Sequence, residues 1–211
     1  MVKFLLIRHG QSQANADCCF AGHLDTPATE LGYHQAECAA RFVAENYTVD
    51  AIYSSDLQRA AVVGQAVSRA TGIPMHTDRN LREIMAGDWE GLSFEQLSAY
   101  PSFAVWRKDV GAAVCDGGES VADLQKRIVN ALTEIAQRHP NQTVVIATHA
   151  TPIRAVQCYC MGKPISYMQE LMWVTNASVT EIFYDEGSFR LGNVSIDYYL
   201  GNDVSALPAD V

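Results

Sequence analysis

Arg8-His9-Gly10 closes an apolar run at residues 2–7, and Thr148-His149 closes another at 144–147. Strands ordinarily end in Gly, Asn, Asp or Ser, whose backbone freedom or local hydrogen bonds suit a turn. Here both runs end on imidazoles, which change charge near neutral pH. Arg59 follows a third short apolar segment at 50–53. If these segments are parallel neighbours, Arg8, His9, Arg59 and His149 gather at the carboxyl edge of one sheet, where open α/β sheets build their sites. Two arginines and two histidines match a phosphoryl group. Guanidinium binds phosphate oxygens bidentately and stays charged. One neutral imidazole, oriented through its other nitrogen, can attack phosphorus. The second, protonated, balances charge on the equatorial oxygens. For Arg59 alone, an ion pair with Asp56 is the competing reading, and Arg154 has a similar placement after His149. A cation in a helix's first turn opposes the macrodipole, a conflict that a shared bound anion removes.

The elements that must carry these residues alternate. The runs at 2–7 and 143–147 are continuous and apolar, as fully buried strands are. A shorter strand is expected at 50–53 and an edge strand after Gly72-Ile73-Pro74-Met75. Helices are expected from Thr29 or Glu30 to about Asn46, from a cap at Ser54-Ser55-Asp56 to about Ala70, and over 120–139. Thr151-Pro152 reads as an N-cap followed by Pro at the first helical position. A closing hairpin is expected over 179–184 and 189–196. The fold class is therefore α/β, three layers with a mostly parallel central sheet. Residues 84–118 break the pattern with Gly87-Asp88-Trp89-Glu90-Gly91, Trp106 and Gly117-Gly118. They read as a mostly helical insertion over the carboxyl edge, a candidate lid within a single domain spanning 1–211.

With 211 residues the chain can bury a large core. Its net charge of −9 argues against a nucleic-acid or membrane-surface partner, which wants a basic face, yet leaves room for a local positive pocket. No apolar run is long enough to span a bilayer, and a cytoplasmic protein is expected. The six cysteines form no CxxC pair and read as free thiols, and no His or Cys spacing suggests a metal. Oligomeric state is not legible.

The residues also carry a resemblance. Arg8-His9-Gly10-Gln11-Ser12-Gln13-Ala14-Asn15 resembles the RHGx(S/T)xxN signature of the histidine phosphatase superfamily, whose fold is phosphoglycerate mutase-like. Phe20-Ala21-Gly22-His23-Leu24-Asp25-Thr26-Pro27, the segment from Tyr53 to Ala60, Leu81-Arg82-Glu83-Ile84 with Gly87–Gly91, Gly117-Gly118-Glu119-Ser120, Thr148-His149 and the stretch from Asn176 resemble its further motifs in order. The resemblance implies His9 as nucleophile, with Arg8, Asn15, Arg59 and His149 on the phosphoryl oxygens. It implies Glu83 as proton donor to the leaving alkoxide, and no cofactor or metal.

Ser12 reads equally as N-cap or phosphate ligand. Gly22 and His23 are candidates for substrate contact, with a plain surface loop as the alternative for His23. Trp89 reads as core, and Phe20, Met85 and Trp106 are candidates for an apolar leaving-group pocket. Two departures stand out: Ala150-Thr151 where the family often has glycines, and Ala28 in place of the usual Leu.

The reading is a metal-independent phosphomonoesterase acting through a phosphohistidine on small phosphorylated metabolites. Phosphoglycerates, sugar phosphates and α-ribazole phosphate are among the candidates. A cofactor-dependent phosphoglycerate mutase and a non-catalytic phospho-ligand-binding relative are the alternatives. Residues 81–92 follow the phosphatase form rather than the mutase LNERxYGxLQGL, and no Trp precedes Asn15.

Overall fold

Alternate residues of the central strands face opposite ways, and each set finds its own helices. The computed structural model describes residues 1–205, so positions 206–211 of the expected domain lie outside the described residues. Its strands are β1 (Val2–Arg8), β2 (Ala51–Ser54), β3 (Met75–Thr77), β4 (Thr143–Thr148), β5 (Val179–Asp185) and β6 (Ser188–Leu191). They form one sheet in the order β3-β2-β4-β1-β5-β6. The pairs β3–β2, β2–β4 and β4–β1 are parallel, while β5 and β6 are antiparallel. The helices are α1 (Gln13–Ala16), α2 (Glu30–Asn46), α3 (Gln58–Thr71), α4 (Phe94–Leu97), α5 (Pro101–Lys108), α6 (Val121–Arg138) and α7 (Ala150–Cys160).

Leu5, Ile7, Ile52, Val145 and Ala147 pack against α2 and α3. Phe4, Leu6, Tyr53, Val144 and Ile146 pack against α6 and α7. The period of two in the strands thus meets two helical layers, as α/β sheets require. A third apolar cluster joins Phe20 to Ile84, Trp89, Phe103, Trp106, Leu124 and Met168. It ties residues 84–118, which contain α4, α5 and turns of 3₁₀ helix, to α6 and α7. Trp89 is fully buried there, as expected.

Three boundaries differ from the sequence reading. The N-cap of α3 is Leu57, with no side-chain cap bond. Asp56 instead binds Arg82 through two 2.6 Å contacts, and the Ser55 hydroxyl goes to His149. Helix α7 begins at Ala150 with His149 in the N-cap position, so Thr151-Pro152 lie inside its first turn rather than opening it. Strand β6 stops at Leu191, beyond which Ile196 keeps one bridge to Val179.

Candidate active site

Strand register sets the centre of the site. Arg8 and Thr148 are paired residues at the ends of parallel β1 and β4, so His9 and His149 leave the sheet side by side. The His9 amide donates to the Thr148 carbonyl at 2.9 Å, and the two rings stand edge to face with centroids 5.1 Å apart. Strand β2 ends alongside, where Ser55 N–H donates to Ala147 O and α3 then presents Arg59. One pocket is lined by Arg8, His9, Ser12, Asn15, Gly22, Arg59 and Glu83 of the expected set.

Gly10 is needed for packing. A methyl group there would overlap the backbone of Gly32 in α2, and one on Gly32 would overlap the Gln11 carbonyl. The chain after His9 therefore lies directly against a helix.

His9 Nδ1 donates to its neighbour's carbonyl, Gly10 O, at 2.6 Å. A carbonyl only accepts, so the proton sits on Nδ1 and Nε2 keeps its lone pair. Burial, then the Arg59 and Arg8 charges, hold the His9 pKa well below the usual imidazole value. The ring is neutral. His149 Nε2 pairs with Ser55 Oγ at 2.9 Å, and burial followed by Arg59 lowers its pKa likewise. The sequence reading has His149 protonated; burial and Arg59 work toward the neutral ring.

Arg8 and Arg59 are 5% and 1% exposed, and neither forms an ion pair among the described residues. Arg8 donates to Val174 O, and Arg59 to Gly22 O and Leu24 O. Asp56 is occupied by Arg82, so the competing explanation for Arg59 falls away. The Nε atoms of Arg8 and Arg59 and Nδ1 of His149 are buried with no hydrogen-bond partner among the described residues. Burial pushes the Arg8 pKa down to about 10, which still leaves a cation at neutral pH. Two buried positive charges, favoured at a distance by Glu83 but with no carboxylate in direct contact, are costly unless an anion joins them. The site is built for one.

Ser12, on the pocket wall, caps α1: its hydroxyl accepts from Asn15 N, and its own amide donates to Asn15 Oδ1 at 3.1 Å. Asn176 Nδ2 donates to the same Oδ1 at 3.2 Å and to His9 O at 3.0 Å. With its oxygen so engaged, Asn15 offers its NH₂ as a donor in the pocket. Glu83 Oε1 accepts from Ile84 N at 2.9 Å and Oε2 from Thr151 N at 3.4 Å. Two cross-links hold its carbonyl, His23 Nε2 and Arg127 Nη2 both donating to Glu83 O, and Thr148 Oγ1 donates to Leu81 O two residues earlier. His23 is not on the pocket wall, and its Nε2 contacts the backbone of Glu83, which is. Phe20 and Trp106 line the pocket, whereas Met85 is 40% exposed and does not.

Sequence reasoning missed Ser55, Asn176 and Arg127. Ser55 had been absorbed into a helix cap, and the other two lie far along the chain from what they touch. Among the described residues, no three His, Cys, Asp or Glu side chains converge as metal ligands. No described helix is long and apolar enough to cross a membrane.

The sequence matches the histidine phosphatase superfamily (branch 1) over residues 4–197. The chain belongs to that family. It is 32% identical to phosphoserine phosphatase 1 of Hydrogenobacter thermophilus over 203 residues, covering 95% of both chains. It is 32% identical to a glucosyl-3-phosphoglycerate phosphatase of Mycobacterium tuberculosis, covering 85% of this chain and 84% of that one. The solved structure of Bacillus stearothermophilus YhfR superposes with a TM-score of 0.89 at 28% identity, over 95% of this chain and all of the other. This histidine phosphatase fold thus has the mixed, mostly parallel sheet with flanking helices that its strand pattern implied.

Proposed function

We infer that the chain is a phosphoric monoester hydrolase that moves the phosphoryl group of a small phosphorylated metabolite first to His9 and then to water. One observation carries the reading. Two buried, unpaired guanidiniums flank a neutral imidazole whose Nε2 lone pair is free to react. Family membership and phosphatase-named relatives across nearly the whole chain support it.

Arg8, Arg59 and the Asn15 NH₂ bind the phosphoryl oxygens. His9 Nε2 attacks phosphorus, a P–N bond forms, and the P–O bond to the leaving alcohol breaks. Glu83 gives a proton to the departing oxygen. Water then attacks the phosphohistidine, losing its proton to Glu83. The P–N bond breaks, and inorganic phosphate leaves.

The phosphoryl dianion raises the His149 pKa by proximity, so substrate itself supplies the condition under which His149 becomes a charged partner. Fixed donors in a buried pocket need no reorganisation when charge develops.

Hydrolysis of p-nitrophenyl phosphate by wild type and His9→Ala, with and without EDTA, tests the reading. The wild type is expected to turn over regardless of chelator, and the variant to be inactive while melting near the wild-type temperature. Full activity in the variant removes His9 from the chemistry; loss with EDTA brings a metal back into it.

A further inference from the structure

Beyond its phosphoryl end the pocket changes character. Its remaining wall includes Cys18, Cys19, Phe20, Phe94, Trp106 and Trp173, none of them charged. Every charged side chain on the wall, Arg8, Arg59 and Glu83, belongs to the phosphoryl end.

The aromatic wall is held rigidly. Phe20 stands edge-on to Trp106 at 5.3 Å and to Trp89 at 5.6 Å between centroids, and Phe94 stacks on Phe103 at 6.3 Å. On the other side, the Arg154 guanidinium lies 4.0 Å from the Trp173 ring centroid. Its Nη2 also donates to Met168 O and Leu171 O, at 2.6 and 3.1 Å. Arg154 is 4% exposed and does not line the pocket, so its direct contacts are with the Trp173 ring and the loop carbonyls.

A leaving group entering this space meets ring faces and edges. Apolar and aromatic groups gain from such contact. A carboxylate would give up water there without finding a cation. Phosphoserine and glucosyl-3-phosphoglycerate, named for two relatives, both carry a carboxylate.

We propose that this enzyme's substrates are phosphate monoesters of uncharged, aromatic or bulky apolar alcohols, and that it discriminates against carboxylate-bearing monoesters. The proposal rests on the phosphatase reading above.

The test compares kcat/KM for benzyl phosphate, O-phosphoserine and 3-phosphoglycerate, all esters of aliphatic alcohols, so that leaving-group acidity does not decide the result. Benzyl phosphate is expected to exceed both by about a hundredfold, the scale on which a pocket without a partner rejects a polar group. Trp173→Ala is expected to lower the ratio of benzyl to methyl phosphate kcat/KM about tenfold, a change that misfolding would not produce because it lowers both alike. Equal or better use of phosphoserine or 3-phosphoglycerate overturns the proposal, as does an unchanged ratio in Trp173→Ala. If p-nitrophenyl phosphate is hydrolysed in the same preparation, that failure concerns the leaving group alone. If no monoester is hydrolysed, the phosphatase reading itself fails and takes the proposal with it.

Discussion

His9 and His149 meet edge to face, 5.1 Å between ring centroids, because the residues before them are paired at the ends of adjacent parallel strands. Both rings are buried, and burial, then Arg59, depresses the pKa of both. Two consequences follow, one for stability and one for catalysis.

The stability of the ligand-free protein falls as pH drops below about 6.5. Above that value both histidines are neutral folded or unfolded. Below it the unfolded chain binds protons that the folded protein refuses, because both folded-state pKa values lie well under 6.5. The slope is up to about 1.4 kcal/mol per pH unit for each histidine until the folded pKa is reached. Thermal melts between about pH 8 and pH 5 check this. His149→Gln should show a shallower decline, and added inorganic phosphate should offset the loss in wild type. Equal slopes in both proteins contradict it.

Replacing Arg59 by Met keeps its bulk and removes its charge. We expect kcat/KM on a phosphate monoester to fall by about a hundred- to a thousandfold, the usual cost of one transition-state charge partner. Stabilisation by phosphate or vanadate, read as a melting shift, should disappear with it. A variant that keeps the shift shows that Arg59 serves only the carbonyls of Gly22 and Leu24.

Glu83 is positioned by its carbonyl as well as by its carboxylate. His23→Leu removes a 2.9 Å donor to Glu83 O, and kcat is expected to drop about tenfold with KM little changed. His23→Gln, whose amide can donate from a similar place, should recover most of the loss. Failure of glutamine to rescue would assign the effect of leucine to loop packing instead.

Gly32→Ala reverses an ordinary rule. Inside a helix this change usually stabilises by about 0.5–1 kcal/mol. Here the new methyl would overlap the Gln11 carbonyl, two residues from His9. We expect destabilisation of about 1–3 kcal/mol, the scale of overpacking, together with reduced activity. Chemical denaturation of the purified variant settles the sign.

Much of this was legible because the signals are short-range. Alternating strand and helix patterns located β1, β2, β4 and the helices around them, and the strand ends carried Arg8, His9 and His149 to one edge. What stayed hidden depends on long-range partners. Ser55 looked like a helix cap because its hydroxyl's true partner, His149, is 94 residues away. His23 reads from sequence as a substrate contact or a plain loop residue, and its hydrogen bond to Glu83 O spans 60 residues. Met85 was grouped with Phe20 and Trp106 by hydrophobicity, a property blind to which way a loop residue faces.

The central claim is that His9 carries the phosphoryl group. Rapid mixing with a radiolabelled phosphate monoester, followed by alkaline denaturation and peptide mapping, reads this directly. The account predicts label on the peptide containing His9, acid-labile and base-stable, with none on the peptide containing His149. Label on any other residue, or none while product forms in a burst, contradicts it.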